Sequence, residues 1–138
     1  MIALSNQFIA VLDTCVLAPM PLCDTLLRLA EEPAFYIPRW SDDILRELRS
    51  TLQRMGYTPA QAERRIAAME TAFEDPKVTG YECLATSMTN DPRDRHVLAA
   101  AVRCGAHAII TENVRHFPPE SVQSYDVDVL TPDDFLVH

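Results

Sequence analysis

Acidic and amide side chains stand at the ends of predicted elements that lie far apart along the chain. Asp13 follows the apolar run 8–12, and Glu47 lies on a predicted helix. Asp94 stands at the start of a later helix, and Asn113 follows a second apolar run. Several carboxylates that meet at one point repel each other unless a divalent cation joins them. If the fold brings these element ends together, the residues predict a metal-dependent hydrolase.

The choice of donor atoms points to a hard cation. Mg²⁺ and Mn²⁺ favour carboxylate, amide and water oxygens over sulfur. An ion held by a few carboxylates keeps open positions for water and a phosphate oxygen, so it can polarise a phosphodiester and ease the formation of hydroxide. A carboxylate without a role in metal binding, such as that of Glu47, can orient the water or accept its proton.

Each of these side chains also has an ordinary structural interpretation. Asp13 can cap a turn, Glu47 can be a solvated helix residue, Asp94 can belong to a helix cap, and Asn113 can be a turn residue. Only their joint placement favours a site. The histidines are dispersed, and we expect structural or exposed roles for them rather than metal ligation: His96, His107 and His116.

The elements that must position these residues alternate along the chain. Short apolar runs predict strands at 8–12, 35–37, 77–80, 108–111 and 127–130. Helical spacing predicts helices over 22–30, 42–55, 59–73 and 91–105, with Ser41 and Thr58 as N-caps. This alternation predicts an α/β fold, a three-layer α/β/α sandwich around a mainly parallel central sheet. In such folds ligands lie beyond the carboxyl ends of the strands, where the strand order switches.

Length and composition favour one cytoplasmic domain. The 138 residues predict a single domain, 1–138, and 48% of them are hydrophobic, enough for a sizeable core. No apolar stretch reaches the roughly 18 residues of a membrane span, and residues 1–7 lack the pattern of a signal peptide. The four cysteines form no C-x-x-C pair, which favours buried or free thiols over a zinc site or disulfides. Residues 131–134 resemble a helix start, so either a short helical turn closes the fold or the chain is a shortened form of a longer protein.

The charge argues mildly against a large nucleic-acid interface. The formal net charge is −8, and affinity for phosphate comes mostly from cations. Two features weaken that objection. A bound metal adds positive charge where the acids gather, and Lys77 is the sole lysine beside eleven arginines, the side chains suited to bidentate phosphate contacts.

Four segments in sequence resemble the PIN-domain nucleases, and most of all the VapC-type toxins of bacterial toxin–antitoxin pairs. They are Leu12-Asp13-Thr14-Cys15-Val-Leu, Ile44-Leu-Arg-Glu47-Leu, Asp91-Pro-Arg-Asp94-Arg-His-Val-Leu-Ala-Ala-Ala and Ile110-Thr-Glu-Asn113-Val-Arg-His-Phe117-Pro118. The likeness runs from about residue 8 to about residue 136. It implies the same three-layer fold and Mg²⁺- or Mn²⁺-dependent cleavage of RNA by metal-activated water.

The resemblance also implies roles for the acids. Asp13 and Asp94 match the principal metal ligands, Glu47 the third acid, and Asp91 lies near enough to be an auxiliary acid. We therefore expect Asp13, Glu47 and Asp94 to be catalytic. Asn113 stands where the family often has Asp; its amide oxygen can ligate a metal but brings no charge. In addition, Cys15 stands where Asn or Ser is common, so we expect a hydrogen bond near the site to be lost.

Substrate and partners follow from the same resemblance. We place Thr14, Arg46, Thr111 and Arg115 as substrate contacts, with Arg93 as a further arginine beside the motifs. A toxin-like protein is expected to bind RNA, to pair with a small antitoxin whose tail covers the acidic crevice, and to form a homodimer. We expect no membrane association.

Three alternatives bear on this interpretation. A HAD-type phosphatase needs a second Asp two residues after the first, and Cys15 occupies that place. A receiver domain needs adjacent acids before the first-strand Asp and a later lysine, which Lys77 fits poorly. The remaining alternative is a catalytically weak or inactive PIN-like domain that binds RNA or a protein. Asn113 and the acidic balance keep that alternative open.

Overall fold

Five short strands form one fully parallel sheet. The computed structural model describes residues 7–31 and 33–137. The strands are β1 (Ile9–Leu12), β2 (Ile37–Ser41), β3 (Lys77–Val78), β4 (Ala108–Ile110) and β5 (Asp128–Leu130). Their order across the sheet is β3-β2-β1-β4-β5, and every neighbouring pair is parallel. The predicted α/β architecture with a parallel central sheet is confirmed.

Helices connect the strands and cover the sheet. They are α1 (Thr14–Leu17), α2 (Leu22–Ala30), α3 (Asp42–Arg54), α4 (Pro59–Ala72), α5 (Glu82–Ala85), α6 (Arg95–Cys104), α7 (Pro119–Val122) and α8 (Pro132–Leu136). Among residues 7–31 and 33–137, 3₁₀ turns cover Pro92–Asp94, Val114–His116 and Gln123–Tyr125. The chain moves from β1 out to β3 and then returns past β1 to β4. Because parallel crossovers are right-handed, this reversal places the helices before and after it on opposite faces.

The reversal also creates the crevice that a site needs. β1 and β4 are adjacent, with Leu12 opposite Ile110 in the register. The connections that leave these two strands run to opposite sides, so their carboxyl ends are left uncovered between them. The residues that directly follow, Asp13 and Thr111, therefore stand at the same edge of the sheet.

Local sequence signals account for the helix that carries Glu47. The Ser41 hydroxyl accepts a hydrogen bond from the Ile44 backbone N–H at 3.2 Å and caps α3 as predicted. Ile44, Leu48 and Leu52 lie on one face and are buried. Met55, the last residue of the helix predicted over 42–55, is 51% exposed because it lies just past the last turn of α3.

The predicted strand at 35–37 is wrong in position. The structure begins β2 at Ile37 and continues it through Pro38 to Ser41. Pro38 directly follows the predicted strand, and proline usually ends a strand because it removes a donor from the ladder. Within β2, however, the Ile37 N–H donates to the Phe8 carbonyl oxygen, on the side of β1. The Trp40 N–H donates to the Pro76 carbonyl oxygen, on the side of β3. Since β3 starts opposite Trp40, the site of the missing Pro38 N–H faces no strand.

The other predictions about the chain's organisation have simple outcomes. The Thr58 capping box at the start of α4 is present, and Thr131 caps α8, the short helical turn predicted near the end. All four cysteines are free thiols. Across the described ranges, no helix has the length and apolar character that crossing a membrane requires. We predicted no signal peptide in residues 1–7, and residues 1–6 lie outside the described residues.

Candidate functional site

A polar cleft of about 530 Å³ lies at the carboxyl ends of β1 and β4. Residues from four separate parts of the chain line it: Asp13, Thr14, Cys15, Arg46, Glu47, Ser50, Thr51, Arg54, Asp94 and Asn113. The structure therefore brings the three predicted catalytic acids and Asn113 to one cleft. Each acid comes from a different element, which is the arrangement expected at a switch point of a parallel sheet.

Asp13 is the most buried acid of the cleft. It is 3% exposed and caps α1 by accepting a hydrogen bond from the Thr14 N–H at 2.8 Å. Its second oxygen accepts from the Thr111 hydroxyl at 2.9 Å. Burial raises the pKa of Asp13, and the charges of Asp94 and Glu47 raise it further, whereas these two hydrogen bonds act in the opposite direction. The capping role and the site role thus belong to the same carboxylate.

Glu47 reaches the cleft from the second turn of α3. Its side chain is 45% exposed, and its Oε1 lies 3.3 Å from the Thr14 hydroxyl. Its Oε2 lies 2.9 Å from Nε2 of His96, which stands in the first turn of α6. Burial acts to lower the pKa of His96, but the hydrogen bond and charge of Glu47, with the charges of Asp43 and Asp13, outweigh it and raise that pKa.

Asp94 stands at the junction between the 3₁₀ turn and α6, and it is 7% exposed. Its Oδ2 lies 2.7 Å from Nδ1 of His116. Buried Asn90 fixes the backbone here, since its amide group donates to the Asp94 carbonyl oxygen at 3.0 Å. Two of the three acids are therefore held by histidines.

The histidines are the part of the site that the sequence interpretation missed. We expected His96 and His116 to be structural or exposed, yet each contacts a cleft acid. Their partners lie 49 and 22 positions away along the chain, so no local motif pairs them. The position of His96, two residues after Asp94 at the start of α6, was the one available signal.

Asp91 is not among the residues that line the cleft. Its carboxylate accepts hydrogen bonds from the Arg93 backbone N–H at 2.9 Å and from the Arg93 guanidinium at 3.0 and 3.1 Å. These bonds place the pKa of Asp91 below its usual range. Asp91 and Arg93 are therefore local partners of each other, and the auxiliary metal role of Asp91 and the phosphate role of Arg93 stay predictions.

The four predicted substrate contacts occupy different surroundings. Thr14 and Arg46 line the cleft, and Arg46 forms an ion pair with Asp43. Thr111 is fully buried and its hydroxyl is directed to Asp13, so it positions that acid rather than facing a ligand. Arg115 is exposed on the 3₁₀ turn after β4 and does not line the cleft.

Cys15 preserves a contact at the position where Asn or Ser is common. Its Sγ lies 3.7 Å from Asp13 Oδ2 and 3.3 Å from the Thr111 hydroxyl, and it accepts a hydrogen bond from the Glu112 N–H at 3.2 Å. Burial and the Asp13 charge raise the pKa of this thiol to about 11. The neutral thiol therefore belongs to the network around Asp13.

The donor set suits a hydrated divalent ion more than a closed metal centre. Within residues 7–31 and 33–137, no three His, Cys, Asp or Glu side chains lie close enough to form a ready-made metal cluster. The cleft acids share a cavity without forming such a cluster. Mg²⁺ usually keeps several waters and binds through one or two carboxylates plus substrate oxygens, so oxygen donors around an open cleft fit it. The pKa of Asp13 is raised because its negative charge is unfavourable at this buried position, and a bound cation would offset that charge.

A second concavity is apolar. A groove of about 640 Å³ is lined by Phe8, Leu29, Phe35, Tyr36, Asp128, Leu130, Phe135 and Leu136. Although it is the larger of the two, it contains one acid and lacks the paired titratable groups that hydrolysis requires. The polar cleft is therefore the candidate active site.

Comparison with known proteins places the chain in a family. The family model described as PIN domain matches residues 10–115. The chain therefore belongs to the PIN domain family. A stretch of 58 residues is 50% identical to a candidate ribonuclease designated VapC50 from Mycobacterium tuberculosis (strain ATCC 25618 / H37Rv), covering 42% of this chain and 34% of that protein. The match thus spans about a third of the curated relative's length.

Solved structures share the fold at low identity. One is VapBC2 from Rickettsia felis bound to a DNA fragment from its promoter, with a TM-score of 0.59 and 17% identity over 90% of this chain and 98% of that one. A second is FitAB bound to the IR36 DNA fragment, with a TM-score of 0.60 and 16% identity over 89% of this chain and 94% of that one. FitAcB from Neisseria gonorrhoeae gives a TM-score of 0.54 and 16% identity over 89% and 97%.

Proposed function

We propose that this chain is a divalent-metal-dependent endoribonuclease and the toxin of a toxin–antitoxin pair. The observation that carries the proposal is the convergence of Asp13, Glu47 and Asp94 from three elements on one cleft. Membership of the PIN domain family and the identity to a candidate ribonuclease support RNA as the substrate. That residues 1–138 form one domain belongs to the same proposal.

The metal completes the cleft in this proposal. Asp13, Asp94 and Glu47 would hold the ion, and Mg²⁺ or Mn²⁺ would fit these oxygen donors; Asn113 would add an amide oxygen. When bound, the ion supplies positive charge to the phosphate and favours ionisation of the attacking water. Asp91 stays a proposed auxiliary acid; its carboxylate pairs with Arg93 and does not line the cleft.

The chain's own residues then divide the remaining work. Thr111 and Thr14 hold Asp13 in one orientation through both of its oxygens. Glu47 is the half-exposed acid of the three and therefore the one that can reach a water molecule in the cleft and accept its proton. Arg46 and Arg54 line the same cleft and supply donors for phosphate oxygens.

Partners follow from the same interpretation. Two solved structures that share this fold, VapBC2 and FitAB, are each bound to a DNA fragment. The resemblance of the chain's motifs to the VapC-type toxins supports a paired antitoxin. We propose an antitoxin partner for this chain, a homodimeric state, and a cytoplasmic location. The second candidate function, a PIN-like domain that binds RNA or protein without cutting, is favoured by one observation: Asn113 brings an uncharged amide to a cleft where a fourth carboxylate would strengthen metal binding.

Cleavage assays on mixed RNA separate the two candidates. The wild type is incubated with Mn²⁺, Mg²⁺ or EDTA and compared with Asp94→Ala and with Asp24→Asn, which changes an exposed acid on α2 that does not line the cleft. The proposal predicts cleavage by the wild type and by Asp24→Asn with metal, and loss of at least 100-fold in Asp94→Ala or EDTA. Equal cleavage by Asp94→Ala would contradict the proposed site. RNA binding without metal-dependent cleavage by the wild type would favour the second candidate.

A further inference from the structure

Two largely buried histidines each hold one acid of the cleft. His96 contacts Glu47 Oε2 through Nε2 at 2.9 Å, and its side chain is 16% exposed. His116 contacts Asp94 Oδ2 through Nδ1 at 2.7 Å, and its side chain is 18% exposed. The two rings come from different elements, the first turn of α6 and the 3₁₀ turn after β4.

The chemistry of the contacts identifies the donating nitrogen of each ring. An ionised carboxylate accepts hydrogen bonds and cannot donate, so the N–H must be on Nε2 of His96 and on Nδ1 of His116. The other ring nitrogen of each histidine makes no hydrogen bond within the described residues. His96 Nδ1 is buried with no hydrogen-bond partner in the described part of the chain, and His116 Nε2 lies 3.8 Å from Asp91 Oδ2, beyond hydrogen-bonding distance. Each ring therefore acts through one nitrogen, and the two rings use opposite ones.

We propose that His96 and His116 are positioning residues that fix the carboxylates of Glu47 and Asp94 for metal and substrate, each through that single N–H. This inference rests on the proposed function. Cleft acids that repel one another drift apart unless donors hold them, and hydrogen bonds to ligating carboxylates commonly control metal affinity by about 10–100-fold. Asp13 already has two such donors in Thr14 and Thr111, so the histidines complete the set for the other two acids.

Amide isosteres test the proposal because they imitate one ring nitrogen each. The side-chain NH₂ of Asn stands at the position of Nδ1, and that of Gln reaches the position of Nε2. His116→Asn and His96→Gln therefore keep the donor, while His116→Gln and His96→Asn remove it from its place. A histidine that only filled space would show no such crossed preference.

The main readout is the affinity for Mn²⁺, measured by isothermal titration on the purified full chain, with the Tm of the metal-free protein as a check on folding. We expect His116→Asn and His96→Gln to bind Mn²⁺ within about threefold of the wild type. We expect His116→Gln and His96→Asn to bind at least about tenfold more weakly. RNA cleavage should follow the same crossed order in kcat, with KM changed less than twofold.

Several outcomes decide the matter. Equal Mn²⁺ affinity for both amides at both positions overturns the proposal, even if the wild type cleaves RNA and Asp13→Asn does not; the proposed function then stands alone. A crossed pattern in Mn²⁺ affinity without any RNA cleavage supports the positioning role and overturns the ribonuclease. Absence of Mn²⁺ binding by the wild type overturns both. If one position yields an unfolded variant, the pair of amides at the other position decides by the same criterion.

Discussion

Neutralising the buried acid of the cleft should stabilise the metal-free protein while destroying its activity. Asp13→Asn is the cleanest perturbation because both hydrogen bonds of Asp13 can survive it. The amide oxygen can accept from the Thr14 N–H, and the amide nitrogen can donate to the Thr111 hydroxyl, which accepts as readily as it donates. The substitution therefore removes the charge and little else.

The sign of the effect follows from the opposing contributions at Asp13. Two charge-assisted hydrogen bonds become neutral ones, a loss of about 2 kcal/mol in total. Against this, the effective cost of burying an ion in a protein is several kcal/mol, and the repulsion from Asp94 and Glu47 also disappears. The raised pKa of Asp13 shows that the second group of effects prevails in the folded state. We expect a net gain of about 1 kcal/mol, or about 3–5 °C in Tm for a chain of this size.

Thermal unfolding by circular dichroism in EDTA at pH 7.5 measures this gain, with Asp24→Asn as the matched control. That control should remain within about 0.5 kcal/mol of the wild type, because Asp24 is exposed. The pH dependence provides a second check. Since the folded-state pKa of Asp13 is raised, lowering the pH protonates it in the folded wild type and removes the penalty, so the advantage of Asn should shrink on acidification. An unchanged or lower Tm for Asp13→Asn at pH 7.5, or an advantage that grows on acidification, would refute the reasoning.

Two further predictions concern arginines. Arg54 lines the cleft and contacts a threonine hydroxyl rather than an acid. In a non-cleaving Asp13→Asn background, Arg54→Ala should weaken RNA binding several-fold and lower the slope of log affinity against log salt concentration by about 0.7, whereas exposed Arg64→Ala on α4 should not. Equal losses for the two variants would exclude a specific contact of Arg54 with RNA. Arg65 donates to two carbonyl oxygens at the end of α1 at 2.8 and 3.1 Å, so Arg65→Ala should lower the free energy of unfolding by about 2 kcal/mol in urea denaturation. Exposed Arg28→Ala is its control and should change the free energy of unfolding much less; an equally small loss for Arg65→Ala would show that its contacts contribute little.

The fold was predictable where the signals are local. Ser41 and Thr58 cap their helices through contacts three residues away, and such contacts can be read from spacing alone. The second strand was misplaced for the opposite reason. Whether proline interrupts a strand depends on what lies opposite its missing N–H, and the short extent of β3 beside Pro38 is a property of the assembled sheet.

The same distinction divides the candidate site. Asp13 could be placed because it ends a strand next to the switch in strand order, which the alternation of elements already indicates. The contacts of Asp91 and His116 could not be predicted in this way. The role of Asp91 was predicted from its proximity in sequence to Asp94, but its carboxylate pairs with Arg93 and does not line the cleft. His116 lies close to Asp94 only because β4, which precedes it, pairs with β1 in the folded sheet.

Metal binding and the removal of the Asp13 charge both relieve the repulsion between the carboxylates of the cleft. A ligand that binds only the folded state at 100 times its Kd stabilises that state by about 2.7 kcal/mol. Part of this gain for Mn²⁺ comes from relieving the same charge that Asp13→Asn removes, so the two gains should not add. We expect Mn²⁺ to raise the Tm of the wild type clearly and that of Asp13→Asn little, with saturating Mn²⁺ bringing the wild type to or above the metal-free variant. Thermal unfolding of both proteins across a Mn²⁺ titration measures the difference. If Mn²⁺ stabilised both proteins equally, the ion would be bound elsewhere, and the carboxylates of the cleft would have to be explained without it.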